Sequence, residues 1–400
     1  MAAVSDDDED EDEGDADGAE GAADGAPAVE VEDESIVQWR AHTKPVYALA
    51  VSPTEPKLVA SGGGDDKAFL WDCTTGTLHR ELIGHRDTVN ALAFSHDGLY
   101  LATAGLDGIV AIWLAVDGSL ACTLEGPSEA VNWLTWHQRG HVLLAGSEDS
   151  TCWMWKVPEG ECMQIFAAHA ASVTCGGFSG DGKSIVTGSD DATLRIWSPR
   201  TGTVTHTIQI GLPAEIEGAD GAVSCLDCHP SLSVAIFGVN DGRVQLINVE
   251  SGKVLAQWYE HNSCIEACAF IPAAASLGGT HALAATVSLD GCLCVWDTNQ
   301  LNLRQKVAHP EGVSAMRWHP LLPMLCTAGL DGVSRVWDAR SGSLIRGFTG
   351  HTQGGLDVIF APVSATETAL VSSADDCTAR VFRMDQAAIA RTHASGPSDA

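Results

Sequence analysis

The chain has 400 residues, 45% of them hydrophobic, yet no uninterrupted apolar run nears the ~18 residues that a membrane-spanning helix needs. With 53 acids against 22 bases its formal net charge is -31, so phosphate backbones and anionic membrane surfaces repel it while basic proteins attract it. Direct nucleic-acid binding and membrane insertion are therefore disfavoured, and a basic protein or peptide is the expected partner.

Residues 1–35 hold 16 of the acids and no Lys or Arg, which leaves 37 acids against 22 bases in the rest. Residues 1–34 contain no aromatic side chain and cannot bury enough apolar surface to offset the entropy of ordering, so they are expected to be a disordered acidic tail. That tail reads either as a solubilising segment or as an auxiliary contact for a basic partner. Residues 1–20 lack a basic n-region and an apolar h-region, so no secretory or mitochondrial leader is expected, and the chain is assigned to the cytoplasm with access to the nucleus. The 13 cysteines then sit in a reducing compartment, where they serve as small buried side chains rather than a disulfide framework.

From Ser35 onward short apolar strands alternate with Gly, Asp, Asn and Pro turns, the pattern of an all-β protein. One pattern recurs every 40 to 50 residues. Trp71, Trp113, Trp155, Trp197, Trp296 and Trp337 share a slot that Ile247 and Phe382 fill in two degenerate copies. Six residues earlier every copy has an Asp: Asp65, Asp107, Asp149, Asp191, Asp241, Asp290, Asp331 and Asp376. Ten residues before the anchor stand Ser61, Thr103, Thr187, Thr286, Thr327 and Ser372, with Ala145 and Phe237 in the third and fifth copies. His42, His85, His169, His261, His309 and His351 open the other copies, whereas Pro127 and Ala219 open those two.

These residues resemble the WD40 family. Gly84-His85 and Gly350-His351 match its Gly-His, and Trp71-Asp72, Trp296-Asp297 and Trp337-Asp338 match its Trp-Asp. The resemblance covers residues 36–383 and implies a β-propeller with four antiparallel strands per blade, in which the His, Ser/Thr, Asp and Trp of a repeat form a buried hydrogen-bonded tetrad. The physics agrees, because an indole N–H, a hydroxyl and an imidazole are buried without penalty only when paired. The Asp would accept from the His and from turn amides. Eight copies imply eight blades, with seven as the alternative if one degenerate copy is a loop.

The expected organisation is an acidic tail (1–34), the propeller (35–384) and a flexible C-terminal tail (385–400). Ile36 to Trp39 is expected to supply the outer strand of the last blade, closing the ring and removing an open sheet edge. A narrower likeness rests on Gly64-Asp65-Asp66-Lys67-Ala68-Phe69, on Trp153-Met154-Trp155-Lys156-Val157-Pro158, on the acidic leader and on the blade count. Together they resemble the angio-associated migratory cell protein family, whose fungal relatives include a dedicated chaperone of a large-subunit ribosomal protein.

Several constellations imitate chemistry. A Ser/Thr, a His and an Asp within reach of one another suit nucleophilic catalysis, but about six equivalent sets coinciding with the repeat argue for a structural role. Cys225-Leu226-Asp227-Cys228-His229 spells the haem-attachment pattern, yet Cys228 falls in the strand slot of Phe94 and Phe360, and His229 begins a hairpin turn. Gly62-Gly63-Gly64 lacks the Lys-Ser/Thr of a phosphate loop. No catalytic set, cofactor or metal is expected.

In an antiparallel blade the loops joining strands b to c and strand d to the next strand a emerge on one face. The residue before the structural Asp lies there, and includes Glu148, Asp190 and Asp375 beside Leu106, Leu289 and Leu330. Tyr47, Asn132 and Glu266 at the starts of strands a, with Asp87, Glu129 and Glu311 just before them, complete the candidate partner face. The connection from Gly211 to Gly221 adds Glu215, Glu217 and Asp220. Lys57, Arg139, Lys183, Arg200 and Arg340 fall on the opposite face, so a negative funnel is expected on the binding side. The function expected is a non-enzymatic monomer that holds a basic protein segment, with a ribosomal protein as the client that the resemblance implies. The alternatives are a signalling or cytoskeletal scaffold of the cell-migration type, or a histone-tail adaptor, for which Tyr47 is the one obvious cage residue.

Overall fold

Each repeat carries four runs of β-branched and apolar residues between turn residues. The computed structural model, which describes residues 32–211, 220–275, 283–364 and 367–385, folds these runs into strands. They assemble into eight four-stranded antiparallel sheets, seven of them taken in chain order. Blades 1 to 7 span residues 46–82, 89–124, 131–167, 173–209, 223–258, 265–308 and 313–348. Blade 8 combines residues 355–385 with Val37–Trp39. The protein is an all-β, eight-bladed propeller, and the degenerate third and fifth copies are complete blades.

Within a blade the strands are a to d. Strand a of every blade contacts strand a of the next, and that of blade 8 contacts that of blade 1, so the eight a strands line a central channel. The ring closes through Val37–Trp39, whose register is Val37 to Val381, Gln38 to Arg380 and Trp39 to Ala379. The Trp39 ring stacks on Trp71 of blade 1 at 5.0 Å. Closure is also apolar: one cluster joins Trp39, Ile359, Val371 and Val381 to Val46, Val59 and Trp71 across the blade 8 to blade 1 junction. Equivalent clusters fill the seven other junctions, as Leu58, Leu70 and Leu82 do with Val89, Leu101 and Trp113 between blades 1 and 2.

Two left-handed backbone positions recur and set the frame of each repeat. The residue after the structural Asp has positive φ in all eight blades, from 58° at Ala192 to 90° at Gly242. The residue five after the anchor does so in seven: Gly76, Gly118, Gly160, Gly202, Gly252 and Gly342 have φ of 66–70°, and Leu301 has 56°. Glycine adopts this region without a Cβ clash, so the c-to-d hairpin favours it.

The tetrads form where the residues are complete. In blade 4 His169 Nε2 lies 2.8 Å from Thr187 Oγ1, Trp197 Nε1 donates to the same oxygen at 2.8 Å, and His169 Nδ1 lies 3.0 Å from Asp191. Ala170 and Thr193 amides donate to that Asp at 2.9 and 3.0 Å. The same bonds join His42, Ser61, Asp65 and Trp71; His85, Thr103, Asp107 and Trp113; and His261, Thr286, Asp290 and Trp296. Blade 8 keeps His351, Ser372 and Asp376, with Phe382 in the anchor slot.

Blade 7 departs from the expected set. His309 bonds Thr327 at 2.9 Å and Trp337 donates to Thr327 at 3.0 Å, but Asp331 turns to Arg335 at 2.6 Å and His309 Nδ1 has no partner among the described residues. Burial and then the Arg335 charge push the His309 imidazole down to about 4. In blade 5 the missing His is replaced by an arginine: Arg243, itself buried, pairs with Asp241 at 2.6 Å and donates to Gly211 O at 2.6 Å. Ala219, which holds the His slot of that repeat, lies outside the described residues. In blade 3 Trp155 Nε1 donates to Glu125 O at 3.0 Å, and Asp149 accepts from the Ser128 and Thr151 amides.

Candidate protein-binding face

The face is built by one bond repeated eight times. The amide of the residue before each structural Asp donates to the carbonyl of the residue preceding strand a, as Glu148 does to Ala130 at 2.9 Å, Asp190 to Ser172 at 3.1 Å and Asp375 to Gly354 at 3.0 Å. This bond locks the b-to-c turn beside the d-to-a loop of the same blade. The second residue of every strand a is a β-bulge: pairing skips Tyr47, Asn90, Asn132, Thr174, Ser224, Glu266, Ser314 and Leu356. Bulges re-aim a side chain out of the pleat, so two variable positions per blade converge where the channel opens.

These two positions do different work. Asn132 donates to Ser172 Oγ at 2.8 Å and to Val173 O at 3.4 Å in the next blade. Ser224 donates to Ile265 O and Ser314 to Gly355 O, both at 2.6 Å, and Thr174 donates to Val223 O. The bulge is thus an inter-blade clasp in blades 3, 4, 5 and 7, and Asn132 is satisfied within the protein. Glu266 is half-buried, and its burial pushes the carboxyl up. Tyr47 remains exposed, with its ring against Gly64, where an added Cβ would lie 3.2 Å from the ring.

Four of the exposed acids lie on one sector. Glu129 and Glu148 of blade 3, Asp190 of blade 4 and Asp220 before blade 5 are all exposed. Burial, followed by the charges of Asp220, Asp191 and Glu148, pushes the Asp190 carboxyl above its ordinary value. Carboxylates from three successive blades therefore feel one another. Asn240 Nδ2 steadies Asp220 at 3.1 Å. Asp87 and Glu311 are exposed in loops of other sectors, and Asp375 is half-buried beside Leu330, since an added Cβ on Gly354 would sit 3.5 Å from Leu330 and 3.6 Å from the Asp375 carboxylate. Leu106, Leu289 and Leu330 are exposed between the charged positions. Glu215 and Glu217 lie outside the described residues.

The charge pattern corrects the expected segregation in two ways. Lys44 and Arg86 are exposed in the d-to-a loops that enter blades 1 and 2, so the negative region is a sector over blades 3 to 5 rather than a full funnel. The opposite face does carry Lys57, Arg139, Lys183, Arg200 and Arg340, but acids stand among them. Lys183 pairs with Asp181 at 3.3 Å, Arg340 with Asp338 at 3.1 Å and Lys156 with Glu159 at 2.9 Å. Many of these acids are there because a carboxylate caps a turn: Asp72 accepts the Thr74 and Thr75 amides and Asp297 those of Asn299 and Gln300.

Beneath the acidic sector a cavity of about 560 Å³ opens along the channel, lined by Trp133, Cys175, Cys225, Asp227, Glu266 and Cys268 among others. Asp227 accepts the Phe270 amide at 2.7 Å, and burial pushes its carboxyl up to about 6. Burial likewise pushes the Cys175, Cys228 and Cys268 thiols up, which keeps them protonated and poor nucleophiles. His229 accepts the Ser231 and Leu232 amides at 3.1 and 2.9 Å, capping the hairpin turn in which it was expected. The Ser/Thr hydroxyls of the tetrads are fully buried and already bonded to His and Trp.

Comparison with known proteins agrees with this architecture. The WD domain, G-beta repeat family matches residues 33–72, 76–113, 118–156, 160–198 and 302–338; the first match spans the closing strand together with strands a to c of blade 1. An uncharacterized WD repeat-containing protein of Schizosaccharomyces pombe is 37% identical over 361 residues, 88% of this chain and 87% of that protein. The human angio-associated migratory cell protein is 32% identical over 373 residues, 89% of this chain and 81% of that protein. The chain belongs to this family of WD40-repeat proteins. Among solved structures, Saccharomyces cerevisiae Sqt1 matches with a TM-score of 0.77 at 24% identity, covering 88% of this chain and 99% of that one. Chaetomium thermophilum Sqt1, bound to the N-terminus of the ribosomal protein L10, matches with a TM-score of 0.76 at 22% identity, covering 88% and 100%. At these identities the Sqt1 structures establish a shared fold, and the WD40 propeller is a fold that typically serves as a scaffold for protein interaction.

Proposed function

We propose that this chain is a non-enzymatic binding protein that holds a basic protein segment on its acidic sector, as a dedicated chaperone or assembly factor for a large-subunit ribosomal protein. The observation that carries the reading is the placement of Glu148 and Asp190 on the locked b-to-c turns of adjoining blades, with Asp220 held by Asn240 at the entry to the next. Carboxylates held near one another in the free protein relieve their repulsion when Arg or Lys heads enter, and Leu106 and Leu289, exposed in the blades that flank the sector, accept aliphatic stems at its two edges. The Sqt1 propeller bound to the L10 N-terminus supplies the precedent for the client. Release would follow when rRNA phosphates compete for the same basic side chains.

The test is a calorimetric titration of the full chain with a synthetic N-terminal peptide of ribosomal protein L10, at several salt concentrations. A Glu148→Lys/Asp190→Lys variant is expected to bind at least about tenfold more weakly, with a shallower salt dependence. A Glu159→Lys variant on the opposite face is expected to bind as the unmodified protein does. Unchanged affinity in the double variant would place the site elsewhere. Equal binding of a histone-tail peptide would favour the adaptor reading over a dedicated client.

A further inference from the structure

On the face opposite the acidic sector, the a-to-b hairpin of blade 2 meets the start of strand b in blade 3. The hairpin reads Ser95-His96-Asp97-Gly98. Ser95 Oγ donates to Asp97 Oδ1 at 2.7 Å and the Leu99 amide donates to the same oxygen at 3.2 Å, which leaves Oδ2 facing outward. His141, next to strand b of blade 3, places Nε2 at 2.7 Å from that Oδ2. Its ring is pinned edge-on to Tyr100 at 5.0 Å, and its carbonyl accepts the Val157 amide at 2.8 Å. The His96 ring lies 5.6 Å from the His141 ring, and one donor atom from each of His96, Asp97 and His141 lies within 4.8 Å of the others.

We propose that His96, Asp97 and His141 form a binding site for a divalent transition-metal ion of the zinc class that ties blade 2 to blade 3. Two imidazoles and one carboxylate are the ligand types such ions take, and imidazole discriminates against Mg²⁺ and Ca²⁺, which prefer oxygen. Metal–ligand bonds of about 2.0–2.2 Å in a tetrahedral site require donors roughly 3.3 Å apart. Zinc replaces the hydrogen bond between His141 Nε2 and Asp97 Oδ2, the proton between them moving to His141 Nδ1 or to solvent; the two donors part from 2.7 Å to about 3.3 Å, and the exposed His96 swings in to complete the set. Water takes the fourth position.

Comparison within the molecule separates the site from the fold. Blade 4 has the same turn, in which Ser179 Oγ donates to Asp181 at 2.7 Å and the Lys183 amide does so at 3.0 Å. There Gly180 stands in the slot of His96 and, at the next blade, Ser233 in the slot of His141. The oriented carboxylate is thus a feature of the turn, while both histidines are additions that the turn does not need.

Isothermal calorimetry of the full chain with Zn²⁺ tests the assignment, in a Cys162→Ser background that removes the exposed thiol on strand d of blade 3. One equivalent is expected to bind, with Mg²⁺ and Ca²⁺ giving no competing heat. His96→Ala removes an exposed side chain, leaves the metal-free melting temperature unchanged, and is expected to lower zinc affinity at least about tenfold. His141→Gln, whose amide can still bond Asp97, is expected to do the same. Co²⁺ substitution should give a visible d–d spectrum that both variants lose. Zinc affinity unchanged in both variants, or Mg²⁺ binding as tightly as Zn²⁺, would overturn the site.

Discussion

Arg243 shows how a residue outside the repeat pattern can take over a structural duty. Its guanidinium and the Asp241 carboxylate are both almost fully buried and 2.6 Å apart, and it replaces the histidine that other blades use to hold this Asp. Removing one member leaves the other buried and uncompensated, so Arg243→Met is expected to cost about 3–5 kcal/mol. Adding Asp241→Asn to it should recover most of that loss, and urea denaturation of the single and double variants measures both effects. The sequence contained a signal for this in Asp241-Gly242-Arg243, because that copy lacks the His and alone places an Arg two residues after its Asp. The break in blade 7 was less visible, since His309 and Asp331 both stand in their slots and only the reach of Arg335 separates them. Histidine burial also sets a pH dependence. His309 and His319 are pushed down to about 4, mainly by burial, and His319 Nδ1 accepts the Leu321 and Leu322 amides. Their neutral forms stabilise the fold fully above an unfolded value near 6.5, and this stability is lost as pH falls toward 4. Between pH 6.5 and 5 each should contribute a loss of order 2 kcal/mol. A His309→Gln/His319→Gln variant should therefore show a smaller fall in denaturation midpoint from pH 7 to pH 5 than the parent protein.

At the scale of the element, the blades were legible because two left-handed turn positions keep the spacing between strands b, c and d nearly constant. A constant spacing is what repetition of Asp and Trp reports, so the fold could be read even where the tetrad residues had been replaced. The binding face was less legible. Spacing located the residue before each Asp and the residue at each bulge, but not which of the bulge side chains would turn to the next blade. Asn132 and Tyr47 occupy the same slot, yet one is bonded to blade 4 while the other lies over Gly64. Turn-capping carboxylates on the far face and the loop bases Lys44 and Arg86 likewise have local causes that a count of charges does not separate from function. The c-to-d hairpin of blade 6 offers a direct check on the turn argument. Leu301 adopts φ of 56° where six other blades have Gly, a conformation that costs a side-chain-bearing residue roughly 1–2 kcal/mol. Leu301→Gly relieves this but gives back roughly 0.5–1 kcal/mol in unfolded-chain entropy. A net gain of up to about 1.5 kcal/mol is expected, seen as a higher urea midpoint. The Trp258 bond to the Leu301 carbonyl at 3.2 Å is kept, because only backbone is involved on the acceptor side.

For the whole molecule the decisive element is the short strand that reaches blade 8 from the other end of the chain. Without Val37–Trp39, the outer edge of Ala379–Asp385 is unpaired and Trp71 loses its stacked neighbour. The approach to this strand is itself fastened. Asp33 pairs with Arg380, which is almost fully buried and also lies 3.7 Å from the tetrad Asp376. Glu34 pairs with Arg346 at 3.1 Å, its amide donates to Thr349 O at 3.1 Å, and Thr349 Oγ1 donates to Glu32 O at 2.7 Å. Bonds to blades 7 and 8 therefore begin at Glu32, ahead of the expected boundary at Ser35, and a nested truncation series tests where the ring's requirement for this segment starts. Deleting residues 1–31 removes none of these bonds and should leave the thermal midpoint unchanged. Deleting 1–34 strips the carboxylate from buried Arg380 while keeping the strand, and should cost about 1–3 kcal/mol with unfolding still cooperative. Deleting 1–40 opens a sheet edge that can pair with another chain, so broadened unfolding and concentration-dependent association in light scattering are expected. If that last form stayed monomeric and as cooperative as the full chain, closure by the N-terminal strand would not be what holds the propeller together.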